Sequence, residues 1–543
     1  MPLHLNKKAA ADPALFISNA YDHHPGEYTG KSASRRKIMD MFKKARSRTI
    51  ASLILCALLI SSASCSQTVE KDVGTADTGT SSKTPDQDET TASLYAEFEG
   101  VNYDGAEILI QTENTFKSGL DTCSNYLIET TGEETGDIVS DTAYRRNCKV
   151  EDMLNVKLVY SHIDFNWDNE IKTKIVQPIL AGEYTADLYF APLYQAAPLT
   201  LENYFYNVAD IKGFDLDSDW WYGDYMADTS FASGKYYILA GDYFIDVIRS
   251  CHALYFNKNT AADLFGNGEI FYDDVLAGNW TLDKFNSYVR AAYLDLNGDS
   301  QRDENDRYGL IIGDDYWGSC MPFIISSDVT FIERDENGSP VIAMNSQHTD
   351  DVYTKILGVY NNEGSFMNPK NPKPSFINSR SLFLNYSRLG NMETLRDTED
   401  DVSPLPYPKY DESQEKYTTS SHDTALVGAL PITMPEERLD MVSTTLEALC
   451  QVTHHEFLPV YRDQALKNKY ARDEKTADMV DIIISNIRCS FPLAYSASLP
   501  IFLQDTFAAS LKKGDASIAS AYAKLVGSSE KKLQKIIEKY ENS

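Results

Sequence analysis

The sequence lacks the local motifs by which most enzymes are assigned. Its 543 residues contain no nucleophile elbow, no phosphate-binding loop, no HExxH pair and no dinucleotide-binding fingerprint. It is also poor in basic residues, with 50 Lys and Arg against 80 Asp and Glu, and its formal net charge is −30. Such an acidic chain disfavours nucleic-acid binding, because contacts to phosphates need basic patches.

Cysteine is scarce and scattered. Six cysteines follow residue 65, and no two of them form a CxxC pair, so a zinc site is not expected. Buried thiols are favoured over disulfides, although the sequence does not choose among the possible pairings. The six residues are Cys123, Cys148, Cys251, Cys320, Cys450 and Cys489.

Long apolar runs are also missing. The longest, residues 50–60, has eleven residues and includes one serine, which is too short for a stable transmembrane helix. Lys43, Lys44, Arg46 and Arg48 precede it and small residues ending in Cys65 follow it, a pattern typical of a bacterial lipoprotein signal. The sequence therefore predicts lipidation of Cys65 and an extracytoplasmic, membrane-anchored protein; an uncleaved anchor or ordinary secretion are the alternatives.

The chain divides by composition into four parts. Residues 1–40 precede the signal, and we expect translation to start at Met39 or Met41 instead. Residues 41–65 form the signal peptide, and residues 66–98 are rich in Thr, Ser, Asp and Gly, which predicts a disordered tether. The remaining part, residues 99–543, is long enough to fold into two lobes with cores of their own.

Strands and helices alternate in the first half of this part. Short apolar runs at 106–112, 155–162 and 186–193 predict strands, and the segments between them, at 137–154 and 169–182, have helical spacing. Farther on, Thr281 is a candidate N-cap for a helix over 281–294, and residues 308–312 predict a strand. This alternation indicates an α/β fold with a largely parallel sheet, in which ligands bind beyond the carboxyl ends of the strands.

A set of segments in a fixed order adds a resemblance. "IVQPILAGEYTADLYFAP", "GKYYILAGDY", "ALYFNKNTA", "NWTLDKF" and "LDLNGDSQRDENDRYGLI" resemble the sugar-type, family 1-like solute-binding proteins of bacterial ABC importers. The resemblance implies a type II periplasmic-binding-protein-like fold, with two α/β lobes, a hinge and an interlobe cleft. It places lobe 1 at about 99–246 with segments after 423, and lobe 2 at about 250–420.

The resemblance also implies a function. The chain would capture a carbohydrate, such as an oligosaccharide, in the cleft and deliver it to ABC permease subunits in the membrane, as a monomer and without catalysis. Position along the chain suggests six candidate ligand contacts, for each of which ordinary packing is the alternative. They are Glu113, Asn114, Tyr194, Asp242, Tyr243 and Trp317.

One acidic loop stands out from the rest. Residues 295–306 place oxygen-bearing side chains at six positions with nearly the spacing of an EF-hand calcium loop. The sequence predicts a structural Ca²⁺ site that joins the preceding helix to the following strand, and a solvated acidic turn is the alternative. The six residues are Asp295, Asn297, Asp299, Gln301, Asp303 and Asp306.

Two other functions stay open at this stage. A secreted glycan-active enzyme needs two carboxylates in a cleft, which an acidic chain offers by chance. A sensor that presents its ligand to a receptor would have the same sequence features. The adjacent His422 and Asp423 are too close in sequence for a catalytic triad, and we expect them to contact ligand or to hydrogen-bond the crossover near the hinge.

Overall fold

The computed structural model describes residues 94–113, 124–163, 172–231, 234–313, 316–336, 338–344, 346–367, 373–395, 398–465, 474–489, 491–495, 499 and 503–541. Nearly all of them belong to one compact unit, Glu97–Ser543. Two mixed sheets form its framework, and helices cover them. The α/β prediction and the two-lobed arrangement are therefore confirmed.

The first sheet holds three parallel strands and one antiparallel strand. Its strands are β1 (Ala106–Glu113), β2 (Val156–Ile163), β3 (Leu188–Pro192) and, much later in the chain, β12 (Leu426–Ala429). Their order is β12-β3-β1-β2, with Ala106 opposite Val156, Ile110 opposite Leu188, and Leu426 opposite Pro192. All of β3 is buried, as expected for a strand covered on both faces. This sheet is the framework of lobe 1.

The second sheet is the framework of lobe 2. It contains β4 (His252–Asn257), β5 (Tyr308–Ile312), β8 (Ser365–Met367), β9 (Ser381–Arg388) and β10 (Val402–Leu405). The order is β10-β4-β9-β5-β8, and β4 alone runs against its neighbours. The carboxyl ends of four strands and the amino end of β4 therefore share one edge. Two strand pairs lie outside the large sheets: β6 (Ile332–Arg334) with β7 (Pro340–Ile342), and β11 (Thr419–Ser420) with β13 (Ile487–Arg488).

Nineteen α-helices lie in the described part of the chain. They are α1 (Asn125–Ile128), α2 (Ile138–Leu154), α3 (Gln177–Ala181), α4 (Leu193–Leu199), α5 (Gly223–Thr229), α6 (Asp246–Arg249), α7 (Lys258–Phe265), α8 (Ile270–Leu276), α9 (Leu282–Ala291), α10 (Tyr316–Ser326), α11 (Gln347–Tyr360), α12 (Lys373–Ile377), α13 (Met392–Leu395), α14 (Leu439–Val452), α15 (Leu458–Ala465), α16 (Glu474–Ser485), α17 (Phe491–Ala494), α18 (Ala509–Lys513) and α19 (Ala519–Glu541).

Side-chain caps explain where two of the predicted helices begin. The Asp137 carboxylate accepts from the Ser140 amide at the start of α2, and the Thr281 hydroxyl accepts from the Lys284 amide at the start of α9. Helix α2 ends at Leu154 and is followed by the C-cap residue Asn155, whose φ of 49° is in the left-handed region. The predicted N-cap Thr281 is thus confirmed.

The chain passes between the lobes more than once. It leaves lobe 1 through α6 into β4, and it returns through residues 419–425 into β12. The amide of His422 donates to the carbonyl of Ser250 at 2.9 Å, so these two connections lie side by side. The carboxyl-terminal part touches both lobes, because α17 packs on α4 and α5 while α18 packs on α10.

Candidate functional site

The carboxyl edge of the lobe 1 sheet carries the return connection. Strand β3 ends at Pro192, opposite Leu426 at the start of β12. Just beyond this pair, the Leu193 amide donates to the Ala425 carbonyl and the Tyr194 amide donates to the Asp423 carbonyl, both at 2.9 Å. Residues 422–425 therefore lie at the edge where ligands of α/β sheets bind.

The corresponding edge of lobe 2 meets the same connection. Strand β4 begins at His252, which is paired with Arg388 at the end of β9. The backbones of Cys251 and Ser421 form an isolated antiparallel β-bridge. The carboxyl edges of both sheets thus converge on residues 421–424, which we call the interlobe junction.

Five side chains gather at this junction. The ring of His252 stacks on Tyr386 with centroids 6.2 Å apart, and it lies 5.4 Å from the ring of His422. The Tyr386 hydroxyl is 2.9 Å from Nε2 of His422, whose Nδ1 is 2.8 Å from Oδ1 of Asp423. We call His252, Tyr386, Arg388, His422 and Asp423 the junction cluster.

Tyr386 is held in an unusual backbone conformation. Its φ is +55°, in the left-handed region that aromatic residues rarely adopt. Its ring covers Gly318 in α10, where an added Cβ would lie 2.3 Å from a ring carbon. Strain of this kind is concentrated at functional sites, which supports a role for Tyr386 beyond packing.

Burial dominates the electrostatics of the cluster. It raises the pKa of the Asp423 carboxyl to about 7, although the positive charge of Arg388 acts in the opposite direction. Burial is the main reason that the pKa values of His422 and His252 lie well below the ordinary range. The Arg388 guanidinium lowers the pKa of His422 further, and the His422 ring and Arg388 lower that of His252. Both histidines are therefore neutral at neutral pH.

An ion-pair cluster braces the junction from behind. The guanidinium of the buried Arg249 donates to both carboxylate oxygens of Glu393, at 2.9 and 3.0 Å, and to Asp246 at 3.3 Å. Tyr461 also donates to Glu393, and the Leu426 amide donates to Asp246. Burial lowers the pKa of Arg249, but the Glu393 carboxylate more than offsets this, so the pKa lies above its usual range. The cluster joins α6, α13, α15 and β12.

Two of the predicted ligand contacts lie at the ends of adjacent strands of lobe 1. Glu113 is the last residue of β1 and is buried, and Tyr194 follows β3 and is half-buried. The Tyr194 hydroxyl accepts from the side-chain nitrogen Nε2 of Gln195 at 2.9 Å. Both residues lie at the carboxyl edge, where ligand contact stays a prediction. Asn114 lies outside the described residues.

Asp242 and Tyr243 lie inside lobe 1. The Asp242 carboxylate binds His454 Nδ1 at 2.6 Å and the Tyr222 hydroxyl, and its side chain is 3% exposed. The Tyr243 hydroxyl is 3.0 Å from that of Tyr160. Both side chains therefore have protein partners, and the structure does not bring them to the junction cluster. Trp317 lies in α10 of lobe 2, and its side chain is outside the described part.

The acidic loop satisfies its carboxylates locally. Asp295 accepts from the amides of Gly298 and Ser300, at 2.7 and 2.8 Å, and Asp299 accepts from the Gln301 amide at 2.7 Å. Asp306 is buried and accepts from the Leu296 amide. Among the described residues no group of three or more His, Cys, Asp or Glu is arranged to hold a metal ion. The calcium site stays a prediction.

Sequence reasoning singled out only part of the junction cluster. It named His422 and Asp423, but not His252, Tyr386 or Arg388. The structure places His422 and Asp423 between the lobes. Those three lie in β4 and β9, whose pairing brings residues 252 and 388 opposite each other. The local signal there is weak: the apolar run Leu382–Leu384 is compatible with a strand, but it does not indicate which strands lie beside it.

In the part of the chain that the structure describes, no helix is both long enough and apolar enough to cross a membrane.

No family model and no curated protein matches the chain. Three of the similar solved structures are the uncharacterized protein lmo0859 from Listeria monocytogenes EGD-e, the GacH receptor of Streptomyces glaucescens GLA.O, and the ABC substrate-binding protein Lmo0181 from Listeria monocytogenes. Their identities to this chain are 10%, 12% and 12%, and their TM-scores are 0.52, 0.46 and 0.45. The matches cover 79%, 79% and 80% of this chain, and 100%, 99% and 100% of those chains.

At such low identity, the likeness to lmo0859 from Listeria monocytogenes EGD-e, with its TM-score of 0.52, shows a shared fold alone. The GacH receptor was solved unliganded and with acarbose, and Lmo0181 was solved with cycloalternan. The resemblance to solute-binding proteins in the sequence is confirmed at the level of the fold.

Proposed function

We propose that this chain is the solute-binding component of an ABC importer. It captures a carbohydrate, most simply an oligosaccharide, between its two lobes and hands it to a membrane permease. The observation that carries the proposal is the convergence of both sheets' carboxyl edges on residues 421–424. Two lobes that meet through such narrow connections are suited to closing around a ligand.

The side chains at the junction support a hydroxylated ligand. Tyr194 and Tyr386 are half-buried aromatic residues on opposite lobes, and aromatic faces stack on the apolar faces of sugars. Gln195 has a buried side-chain oxygen without a partner among the described residues. Polar groups of this kind fix the orientation of a ligand in an otherwise apolar cleft.

The proposal includes an extracytoplasmic location. A lipid on Cys65 would hold the chain to the membrane, and residues 66–93 would give the lobes freedom to reach the permease. The predicted tether is shorter than 66–98 because residues 96–98 form a 3₁₀ turn in which Phe98 is buried. The importer's ATPase would supply the energy, so this chain needs no catalytic group. Mass spectrometry of the membrane fraction tests the anchor: a diacylglyceryl-modified peptide that begins at Cys65 supports it, and an unmodified Cys65 in a longer peptide contradicts it.

A thermal-shift screen of the protein from Ser66 onward tests the ligand class. The compounds are mono- and oligosaccharides, peptides and amino acids, because a ligand that binds only the folded state raises the melting temperature. We expect a shift with one class of oligosaccharide and no breakdown products by chromatography. Hydrolysis of that sugar would instead identify an enzyme, and a shift only with peptides would overturn the carbohydrate proposal.

A pair of tyrosine variants locates the site. Tyr194→Ala is expected to abolish the shift, because it removes an aromatic ring at the carboxyl edge of lobe 1. Tyr103→Ala is the matched control, since Tyr103 lies just before β1, at the opposite edge of the same sheet, and its hydroxyl binds Asp440. An equal loss of the shift in both variants would place the ligand elsewhere.

A further inference from the structure

The contacts of His422 determine where its ring proton lies. The amide of Thr424 donates to Nδ1 at 3.1 Å, and a backbone N–H can only donate. Nδ1 therefore carries a lone pair, and the proton of the neutral ring is on Nε2. That nitrogen lies 2.9 Å from the Tyr386 hydroxyl, so it donates to the Tyr386 oxygen.

Asp423 must then supply the proton of its own contact with the ring. Its Oδ1 lies 2.8 Å from Nδ1 of His422. An ionised carboxylate would place a second lone pair against Nδ1, whereas a carboxylic acid donates a hydrogen bond to it. Burial favours the same form, since it raises the pKa of Asp423 to about 7 and keeps the pKa of His422 low.

We propose that His422 and Asp423 form a proton-linked switch, in which loss of one proton moves the ring to its other neutral tautomer and reverses its hydrogen bond to Tyr386. The Asp423 O–H bond breaks as an Nδ1–H bond forms. The Nε2 proton passes to the Tyr386 oxygen, and the proton that this oxygen already carried leaves to solvent. The products are a carboxylate, an Nδ1–H ring and a neutral tyrosine, with one proton released in total.

The surrounding hydrogen bonds permit this exchange without moving the ring. After the switch, Nδ1 donates to the Asp423 carboxylate, and the Tyr386 hydroxyl donates to Nε2. The Thr424 hydroxyl, 3.0 Å from Nδ1, can donate to the ring before the switch and turn its lone pair to it afterwards. The Thr424 amide keeps an acceptor, because it also lies in hydrogen-bond contact with the Asp423 carboxyl group. Tyr386 is half-buried, while His422 and Asp423 are buried, so the tyrosine is the exit of the proton.

The other charged and titratable groups near the pair keep one state near neutral pH. The Arg388 guanidinium is positive and stabilises the carboxylate after the switch. Burial keeps the pKa of His252 low, so its ring stays neutral. Burial also raises the pKa values of two farther groups that interact with Asp423, so both stay protonated; they are Tyr225 and Cys489. Asp423 is thus the group whose proton leaves.

The location gives the switch its significance. His422 lies between β11 and β12 on the connection that returns to lobe 1, and Tyr386 lies in β9 of lobe 2. The hydrogen bond that reverses therefore joins the two lobes. The switch needs no ligand, and it stands whether or not the proposed function does.

Nitrogen-15 NMR of the histidine side chains in the full chain tests the proposal. Two-bond proton–nitrogen spectra distinguish the two neutral tautomers, and the His422→Gln variant assigns the signal. From about pH 5 to about pH 9, His422 is expected to change from the Nε2–H to the Nδ1–H form, with a midpoint near 7. A ring that keeps one tautomer throughout, or that becomes doubly protonated, overturns the proposal.

Two variants separate the switch from a general effect of pH. Asp423→Asn offers an amide N–H to Nδ1 at every pH, so the ring should stay in the Nε2–H form. Asp328→Asn is the control, because Asp328 is another carboxyl group with a pKa raised by burial, but it binds Thr418. Carbon-13 labelling of aspartate in the unmodified chain gives an independent test: a carboxyl group titrating near neutral pH and absent from Asp423→Asn supports the proposal, and none overturns it.

Discussion

The interlobe junction and the acidic loop both gather charged side chains, but they hold them in different ways. In the loop, Asp295 and Asp299 accept hydrogen bonds from backbone amides two to five residues away; Asp295 is half-buried and Asp299 is exposed. At the junction, Arg249 binds Glu393 across 144 residues of sequence, and both are buried. Water can replace the bonds of the loop, but not those of the junction. Charged residues of the same type are therefore expected to contribute several-fold more to the free energy of unfolding at the junction than in the loop.

The largest expected effect comes from breaking the buried ion pair. Arg249→Met leaves the buried Glu393 carboxylate, and Asp246 beside it, without their cation, which should lower the free energy of unfolding by about 3–5 kcal/mol. Urea denaturation measures it. Arg145→Met is the control, since the side chains of Arg145 and Glu134 are 53% and 56% exposed and their pair is worth at most about 1 kcal/mol. Equal losses in the two variants would contradict the comparison.

Bound calcium would raise the contribution of the loop to the free energy of unfolding towards that of the junction. If the loop binds Ca²⁺ as its spacing predicts, a concentration 100 times the dissociation constant should add about 2.7 kcal/mol to the free energy of unfolding. Thermal melts with calcium and with chelator measure this gain. Asp295→Asn should weaken it, and Asp228→Asn, far along the chain from the loop, should not. Identical melts with and without calcium would remove the calcium hypothesis.

Glycine 318 tests how tightly Tyr386 is held. Gly318→Ala should cost about 1–3 kcal/mol, because its Cβ would lie 2.3 Å from the Tyr386 ring. Gly527→Ala is the control: it lies in helix α19 with no atom within 4 Å of the added Cβ, so it should stabilise the chain by up to about 1 kcal/mol. Stabilisation by both substitutions would show that the ring moves freely.

Asp423 should make the junction sensitive to pH. Its folded-state pKa of about 7 lies above the ordinary 3.8, so the folded state binds the proton more tightly than the unfolded state. The resulting stability is complete below the unfolded pKa and is lost as the pH rises towards 7. Between about pH 5 and about pH 6, the unmodified chain should lose about 1.4 kcal/mol more than Asp423→Asn. Parallel curves in urea titrations would contradict this.

The smallest effect is expected in the loop without calcium. Asp299→Ala removes the acceptor of the Gln301 amide, which is exposed and can bind water instead. The free energy of unfolding in chelator should change by no more than about 0.5 kcal/mol. A loss above about 2 kcal/mol would show that the loop has a structural role of its own without metal.

Much of the fold was predictable where local patterns are strong. The predicted strands at 106–112 and 308–312 correspond to β1 and β5, and the helices at 137–154 and 281–294 correspond to α2 and α9. Strands β8, β9 and β10 were not singled out. They are short or fully buried and carry no clear alternation, so their pattern does not differ from that of buried helix segments.

The candidate site was less predictable than the fold. Glu113 and Tyr194 were found because loops after parallel strands lie at one edge, a rule that needs only the order of the elements. Asp242 was also chosen by its position along the chain, but its carboxylate is hydrogen-bonded to His454, which lies 212 residues away in the sequence. No sequence pattern near position 242 indicates that His454 is its partner.

The sequence by itself determined the α/β class, the acidic balance, the helix caps and the geometry of the acidic loop, because each depends on residues a few positions apart. Tertiary structure alone decided that His252, Tyr386, Arg388, His422 and Asp423 meet. Two strands, β4 and β9, and the connection before β12 bring them together, and burial then changes the pKa values of His252, His422 and Asp423. The physical reason is that desolvation and long-range pairing depend on the folded surroundings of a group, whereas caps and turns depend on its neighbours in the chain.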